Sequence, residues 1–463
     1  MHVTRTWRKA ALATHAIWAR IRITSPAWQK VGAERRKDGR EVCGTGAQLY
    51  RALQRTGNAP LDLQFAFVNP KPTRTYRQHD HLAFKQMLTL LARSKKCSDV
   101  RALEIDGPDY AHLEEWGEYG GTLILPELRR LCVKQLGYAD FALKLAKTST
   151  KVGEVEFKLG TYRSSGQVGF ECLAMIHSLV SLSINCTHLR SYSHDIEKLR
   201  QFLANARSLI TLELISFGFK DGSSSYRIRV PNLQTLVMKD SDICPMDLPN
   251  LVHLSLIDQG KDSKEGYEVW ENNFGSLQSL TIVSSYSEIG DMWCSDITFP
   301  PLHTLDICFG SWEEGHMEIS MNPKRFNPVV FRLRKTRLPT DSLLQLIGSM
   351  DRLEELELEG IALKKRFFTY LAQESGRTSD CEGSCDEVEE EGEGEPKREE
   401  GKKAVNCPRL VRVRIELKAG PLTRNERMKR MASGAAMARV EAGVPMEWLI
   451  RWSGDEKWMD CLH

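Results

Sequence analysis

The sequence predicts an α/β solenoid, with a parallel inner sheet and outer helices behind a short helical N-terminal segment. Three observations lead there. An apolar-x-x-apolar-x-apolar pattern recurs eleven times between Val100 and Ile415. The first nine copies start on average about 25 residues apart. Between some of them, apolar residues fall at helical spacing.

The copies read Val100-Leu103-Ile105, Leu128-Leu131-Val133, Val152-Val155-Phe157, Leu179-Leu182-Ile184 and Leu209-Leu212-Leu214. Leu233-Leu236-Met238, Leu251-Leu254-Leu256, Leu277-Leu280-Ile282 and Leu302-Leu305-Ile307 follow, then Leu353-Leu356-Leu358 and Leu410-Val413-Ile415. A degenerate copy, Pro328-Phe331-Leu333, fills the wide gap between Leu302 and Leu353. Within each copy, positions 4 and 6 lie on one side of a strand, and position 1 enters the same core from the preceding turn. The helical segments are Phe84/Met87/Leu88/Leu91, Ile196/Leu199/Leu203, and Leu343/Ile347/Met350 behind Thr340, a cap candidate. One strand plus one helix cannot bury its own apolar face, so the units must stack.

This pattern resembles the leucine-rich repeat, whose strand signature L-x-x-L-x-L recurs about every 20–29 residues. That family usually places Asn or Cys three residues after the last strand Leu. Here the position holds Pro108, Leu136, Gly160, Thr187, Phe217, Ser241, Gln259, Ser285 and Gly310. The expectation is an irregular solenoid without a continuous side-chain ladder. Residues 1–66 form a head and linker region, 67–422 the solenoid of about 12 irregular repeats, and 423–463 a C-terminal cap. Within the cap, 424–442 reads as a helix broken at Gly443-Val444-Pro445, ahead of Trp448, Trp452 and Trp458.

The head can be read in two ways. Thr4 to Ile23 is free of acids and rich in Arg, a composition that mitochondrial presequences share. Its Trp7-Arg8 pair, downstream Trp18 and Ile-rich end also resemble the closing half of the F-box of fungal F-box proteins. Leu49 to Gln64, with Gly57-Asn58-Ala59-Pro60-Leu61, is similar to the element that follows the F-box in that family. The resemblance implies a substrate-recognition subunit of an SCF-type (cullin-RING) ubiquitin ligase, in which Trp7, Arg8 and Trp18 would contact a Skp-type adaptor. The Leu-Pro-rich helix that opens an F-box has no counterpart after Met1. The expectation is either a sequence that starts short of the full module or a diminished adaptor contact, below the roughly 800 Å² per partner of a standard interface.

Composition excludes other classes. The chain has 463 residues, 64 Lys plus Arg against 61 Asp plus Glu, and 41% hydrophobic residues. That is the balance of a globular protein, not of a collagen-like or wholly disordered one. No stretch nears the roughly 18 consecutive apolar residues of a membrane span. The net charge of +3 hides a basic head and an acidic run, Asp380 to Glu400, inside an insertion at 374–406. Such a like-charge block cannot bury a core and reads as a solvated, disordered loop. Twelve scattered cysteines and the lack of a hydrophobic signal core point to a reducing, cytoplasmic or nuclear setting.

No catalytic motif is present: G-x-x-x-x-G-K-[ST], H-E-x-x-H and G-x-S-x-G are all missing. Gly117-Glu118-Tyr119-Gly120-Gly121 reads as a loop, because it does not open a helix behind a strand. His79-Asp80-His81 suits a helix start better than a metal, and Cys381 and Cys385 lack a second ligand pair. Neither a cofactor nor a metal is expected, and the chain reads as a non-enzyme. The basic cluster Lys324, Arg325, Arg332, Arg334, Lys335 and Arg337 makes nucleic acid a minor reading, having little aromatic interleaving.

Binding is expected on the concave face, at positions 5 and 7 of each copy. Position 7 places Ile215, Ile257, Val283 and Cys308 where a merely solvated face would carry charge, and such apolar patches mark contact sites. The expected partner is a protein. The alternative to the ligase reading is a leucine-rich-repeat scaffold without ubiquitin function.

Overall fold

The computed structural model describes residues 14, 19–24, 44–66, 89–92, 94–106, 124–134, 145, 148–158, 177–185, 196–217, 228–241, 246–258, 274–284, 300–309, 326–335, 338–372, 407, 409–417, 422–453 and 458–461. The chain is α/β, with long runs of parallel strands and few helices, compatible with a stacked repeat. It divides into two compact units, Met1–Leu251 and Val252–His463.

In the first unit the elements are β1 (Arg20–Thr24), α1 (Gly44–Arg55), β2 (Leu61–Ala66), β3 (Val100–Asp106), β4 (Arg130–Val133), β5 (Glu154–Lys158), β6 (Ser181–Asn185), α2 (Ile196–Asn205), β7 (Thr211–Ile215), β8 (Ile228–Arg229), β9 (Thr235–Lys239) and β10 (Met246–Asp247). Strands β1 to β7 and then β9 lie side by side in chain order, each pair parallel. In the second unit they are β11 (His253–Ile257), β12 (Ser279–Ser284), β13 (Thr304–Phe309), β14 (Val330–Arg334), α3 (Thr340–Gly348), β15 (Glu355–Glu359), α4 (Lys365–Ala372), β16 (Arg412–Leu417), α5 (Leu422–Glu441), β17 (Glu447–Trp452) and β18 (Met459–Asp460). Strands β11 to β17 are again parallel and sequential, and β18 closes the run antiparallel to β17.

All eleven clear copies of the pattern are strands, and the degenerate copy is β14. Register pairs like positions: Leu280 sits beside Leu305, and Ile282 beside Ile307. Positions 1, 4 and 6 are buried throughout, with position 1 never more than 2% exposed in the clear copies. This continuous apolar layer dominates stability, each fully buried aliphatic side chain contributing about 1.5–3 kcal/mol.

A turn sets position 1. The N–H groups of Leu128, Leu233, Leu251, Leu277, Leu353 and Leu410 each donate to the carbonyl three residues earlier. Several of these turns read apolar-Pro-x-Leu, as in Leu125-Pro126-Glu127-Leu128 and Val230-Pro231-Asn232-Leu233, with Pro at the position whose φ it presets. Position 2 then ties neighbours together: its carbonyl accepts from both the second and third residues of the next copy, as Val180 does from Ile210 and Thr211. After position 7 the chain turns through the left-handed region at Ser216, Asp240, Asp258, Lys335 and Gly360. For the non-glycine residues this costs about 1–2 kcal/mol. Next-strand hydrogen bonds offset it, such as Asp258 N–H to the Val283 carbonyl at 2.7 Å.

The structure corrects two expectations. A helix does not accompany every strand: between β7 and β9, and between β9 and β11, the described residues form β8 and β10, which pair with each other in parallel. Leu233 and Leu251 start their copies too close together in sequence to leave room for a helix. Thr340 does not cap α3: Pro339 holds the cap position, and the Thr340 hydroxyl is buried without a hydrogen-bond partner. At one described position where that family places Asn or Cys, the buried Ser241 Oγ accepts from Phe217 N–H and donates to the Leu214 carbonyl, both at 3.0 Å.

The parallel runs reach into both flanks. β1 and β2 lie within 1–66, and β17 within 423–463. Gly57 ends α1 with φ +53°, ahead of Pro60 and β2, so the Gly-x-x-Pro-Leu element is a helix stop and a strand start. Helix α5 ends in a paired lock: Val444 N–H reaches the Arg439 carbonyl, and Gly443 N–H the Val440 carbonyl, both at 2.9 Å. Gly443 supplies the left-handed residue (φ +75°) that this termination requires.

Candidate functional site

The outward positions 3, 5 and 7 of adjacent strands form rows, with neighbouring strands about 4.8 Å apart. In the second unit the rows change character along the run. On β11 to β13 they hold His253, Ser279 and Thr304; Ser255, Thr281 and Asp306; and Ile257, Val283 and Cys308. Asp306 is the one carboxylate among these nine. The Ile257–Val283–Cys308 row is in strict register and half-buried.

On β14 to β17 the same positions are mostly charged, with opposite signs facing across the strands. Arg332 Nε meets Glu357 at 3.2 Å. Arg412 bridges two strands, with Nη1 on Glu355 at 2.8 Å and Nε on Glu447 at 2.5 Å. Arg451 pairs with Glu416, and its guanidinium lies 4.5 Å over the Trp458 ring. At the border, Arg334 makes a bidentate pair with Asp306, Nε to Oδ1 at 3.1 Å and Nη2 to Oδ2 at 2.5 Å. Asp306 is only 7% exposed, so this carboxylate depends on its partner.

The first unit's face carries its own network. Lys134 contacts Glu104 at 2.6 Å and Asp106 at 3.4 Å, and Gln64 donates to Glu104 at 2.8 Å. Burial raises the Glu104 pKa, but the Lys134 and Gln64 hydrogen bonds outweigh it, leaving the carboxyl below its ordinary value. The Glu104 hydrogen bond likewise lifts Lys134. Cys132 lies on the strand between those of Glu104 and Glu156, and burial, then those carboxylates, push its thiol to about 12. It is a poor nucleophile at neutral pH.

Of the residues singled out in sequence, Ile257, Val283 and Cys308 are brought together. Ile215 lies in the first unit, on β7 between Asn185 and Lys239. Burial raises the Cys308 thiol, with nearby Arg334 acting in the opposite sense. Trp7, Arg8, Trp18, the His79–His81 pair, Cys381, Cys385 and the acidic run lie outside the described residues. Of the basic cluster, Arg332 and Arg334 are neutralised by Glu357 and Asp306, which removes them as free phosphate ligands. Sequence reasoning missed this ionic face. The signal was there in Arg332-x-Arg334, Glu355-x-Glu357-x-Glu359 and Arg412-x-Arg414, which fall at outward positions of successive copies.

Among the described residues, no group of three or more His, Cys, Asp or Glu could hold a metal, and no helix is long and apolar enough to cross a membrane. No protein-family description matches the chain, and neither does any curated protein. A solved Bacteroides fragilis protein, a Northeast Structural Genomics Consortium target, is similar over 65% of this chain and 82% of its own, at 15% identity with a TM-score of 0.31. So loose a likeness carries no argument about family or function.

Proposed function

We propose that this chain is a leucine-rich-repeat recognition protein that binds a protein partner on its outward strand face and presents it to a cullin-RING ubiquitin ligase. The observation that carries the recognition part is the row Ile257–Val283–Cys308, in register and half-buried, in a stretch almost without charge. An apolar, hydroxyl-lined strip loses little on desolvation, whereas burying ion pairs under a partner is costly. The ligase part rests on the resemblance of Trp7-Arg8, Trp18 and the Gly57 to Leu61 element to F-box proteins. A scaffold without ubiquitin function is the second reading.

The test is capture with the full chain and with Ile257→Glu/Val283→Glu, followed by co-expression with a Skp-type adaptor and cullin. The proposal expects a partner lost in the double variant, and ubiquitin appearing on that partner when the adaptor is present. Adaptor binding should fall on Trp7→Ala/Arg8→Ala. A partner captured without adaptor binding or ubiquitin transfer would leave the scaffold. A partner retained by the double variant would remove the strip as its site.

A further inference from the structure

Arg439 on α5 is fully buried. Among the described residues its guanidinium donates to main-chain carbonyls at Leu371 (Nη1, 3.3 Å), Cys407 (Nη2, 3.1 Å) and Leu410 (Nη2, 3.2 Å). These acceptors are not scattered along the chain. Leu371 belongs to the last turn of α4, just before residues 373–406, and Cys407 and Leu410 form the turn just after them. One side chain, supplied from further along the sequence, thus holds both ends of the segment that carries the acidic run.

The geometry limits how far apart those ends can be. Carbonyls bonded to the two terminal nitrogens of one planar guanidinium lie within roughly 9 Å of each other. About four residues would span that gap. Neighbouring contacts support the same closure: the Cys407 thiol donates to the Ile347 carbonyl at 3.8 Å, Phe368 of α4 stacks on Trp448 of β17 at 5.8 Å, and Leu410 N–H returns to Cys407. Leucine copies on either side pair in register, Leu356 with Val413 and Leu358 with Ile415, although their sequence separation is far larger than a normal repeat.

We propose that Arg439 locks this stem, so that the terminal repeats fold and stay together whether residues 373–406 are intact, cut or removed. A buried guanidinium suits the role because its planar fork satisfies several carbonyls at once, where a Lys ammonium is a single point of contact. The segment can therefore be processed or exchanged without loss of the recognition face.

Two manipulations of the full chain test this. In the first, a site-specific protease sequence is inserted between Gly392 and Glu393 and cut. The fragments should still co-elute on size exclusion, and Arg439→Met should make the cut fragments separate. In the second, residues 374–405 are replaced by four Gly/Ser residues, and Tm should fall by less than about 2 °C. If Arg439→Met does not fold, Arg439→Lys serves, with the cut fragments dissociating at least about tenfold faster than in the parent. Separation of the parent's cut fragments, or a Tm loss above about 5 °C on deletion, overturns the dispensability of the segment. Co-elution of the cut fragments of Arg439→Met, or cut Arg439→Lys fragments that dissociate no faster than the parent's, overturns the role of Arg439.

Discussion

Strands β11–β13 and β14–β17 are built alike on the inside and differently on the outside. Both bury an apolar residue at positions 4 and 6: Leu280 and Ile282 in one stretch, Leu356 and Leu358 in the other. Outward, the first stretch offers hydroxyls, an imidazole and an apolar row, and the second a mesh of Arg and Glu. The lesson is that a stacked repeat separates two tasks. Inward positions answer to stacking and must match from copy to copy, while outward positions can change sign or polarity within one strand spacing at little cost to the fold.

The comparison can be broken hardest from inside. Leu280→Ala and Leu356→Ala should each cost about 2–5 kcal/mol, and should cost alike, because both remove a side chain no more than 1% exposed from the same layer. Denaturant titration checks this, and a large inequality would mean the outward chemistry also reinforces the core. Next comes the border pair. Asp306→Ala strands a half-buried Arg334 and should cost about 2 kcal/mol, below the figure for a fully buried pair because Arg334 keeps 33% of its side-chain surface in water.

Inside the ionic stretch, Arg412→Met should lose about 1 kcal/mol, shrinking as salt is raised, since its pairs with Glu355 and Glu447 are partly solvated. Melts at low and high salt would show it, and variants at the uncharged outward positions of β11–β13 should show no such salt dependence. The smallest stability effect belongs to Ile257→Glu and Val283→Glu, below about 0.5 kcal/mol each, while partner capture is lost. A collapsed melt would place these residues in the core and shift the outward register by one.

The first unit adds a pH-dependent counterpart. The Glu104 carboxyl is held below its ordinary value of 4.5, so its contribution is complete above that value and is lost as pH falls through the lowered one. Lys134 is raised above 10.5, so its contribution is complete below that value and is lost as pH rises through the raised one. Glu104→Gln should therefore flatten the acid limb of a stability-against-pH curve, an effect kept modest by solvent screening.

Much of this was legible in residue order. Leucine spacing located β3 to β7, β9 and β11 to β16, including β14 with its Pro328 in place of Leu, because a period-2 face with a fixed entry residue has few structural solutions. The α5 stop at Gly443 was legible because a left-handed helix end asks for glycine. Strands β1, β2 and β17 were not read as part of the runs, since Leu61-Asp62-Leu63-Gln64-Phe65 and Trp448-Leu449-Ile450 lack the leading Leu. Thr340 misled because a hydroxyl before an apolar run looks like a cap, and only the backbone shows that Pro339 takes that place.

By itself the sequence determined which side chains face inward and that the units must stack, since apolar periodicity is a local property and burial follows from it. Only the tertiary structure decided which outward residues meet. The Arg334–Asp306 and Arg332–Glu357 pairs and the Arg439 stem depend on register between strands and on contacts far apart in the chain. Spacing along one chain does not encode distances across it.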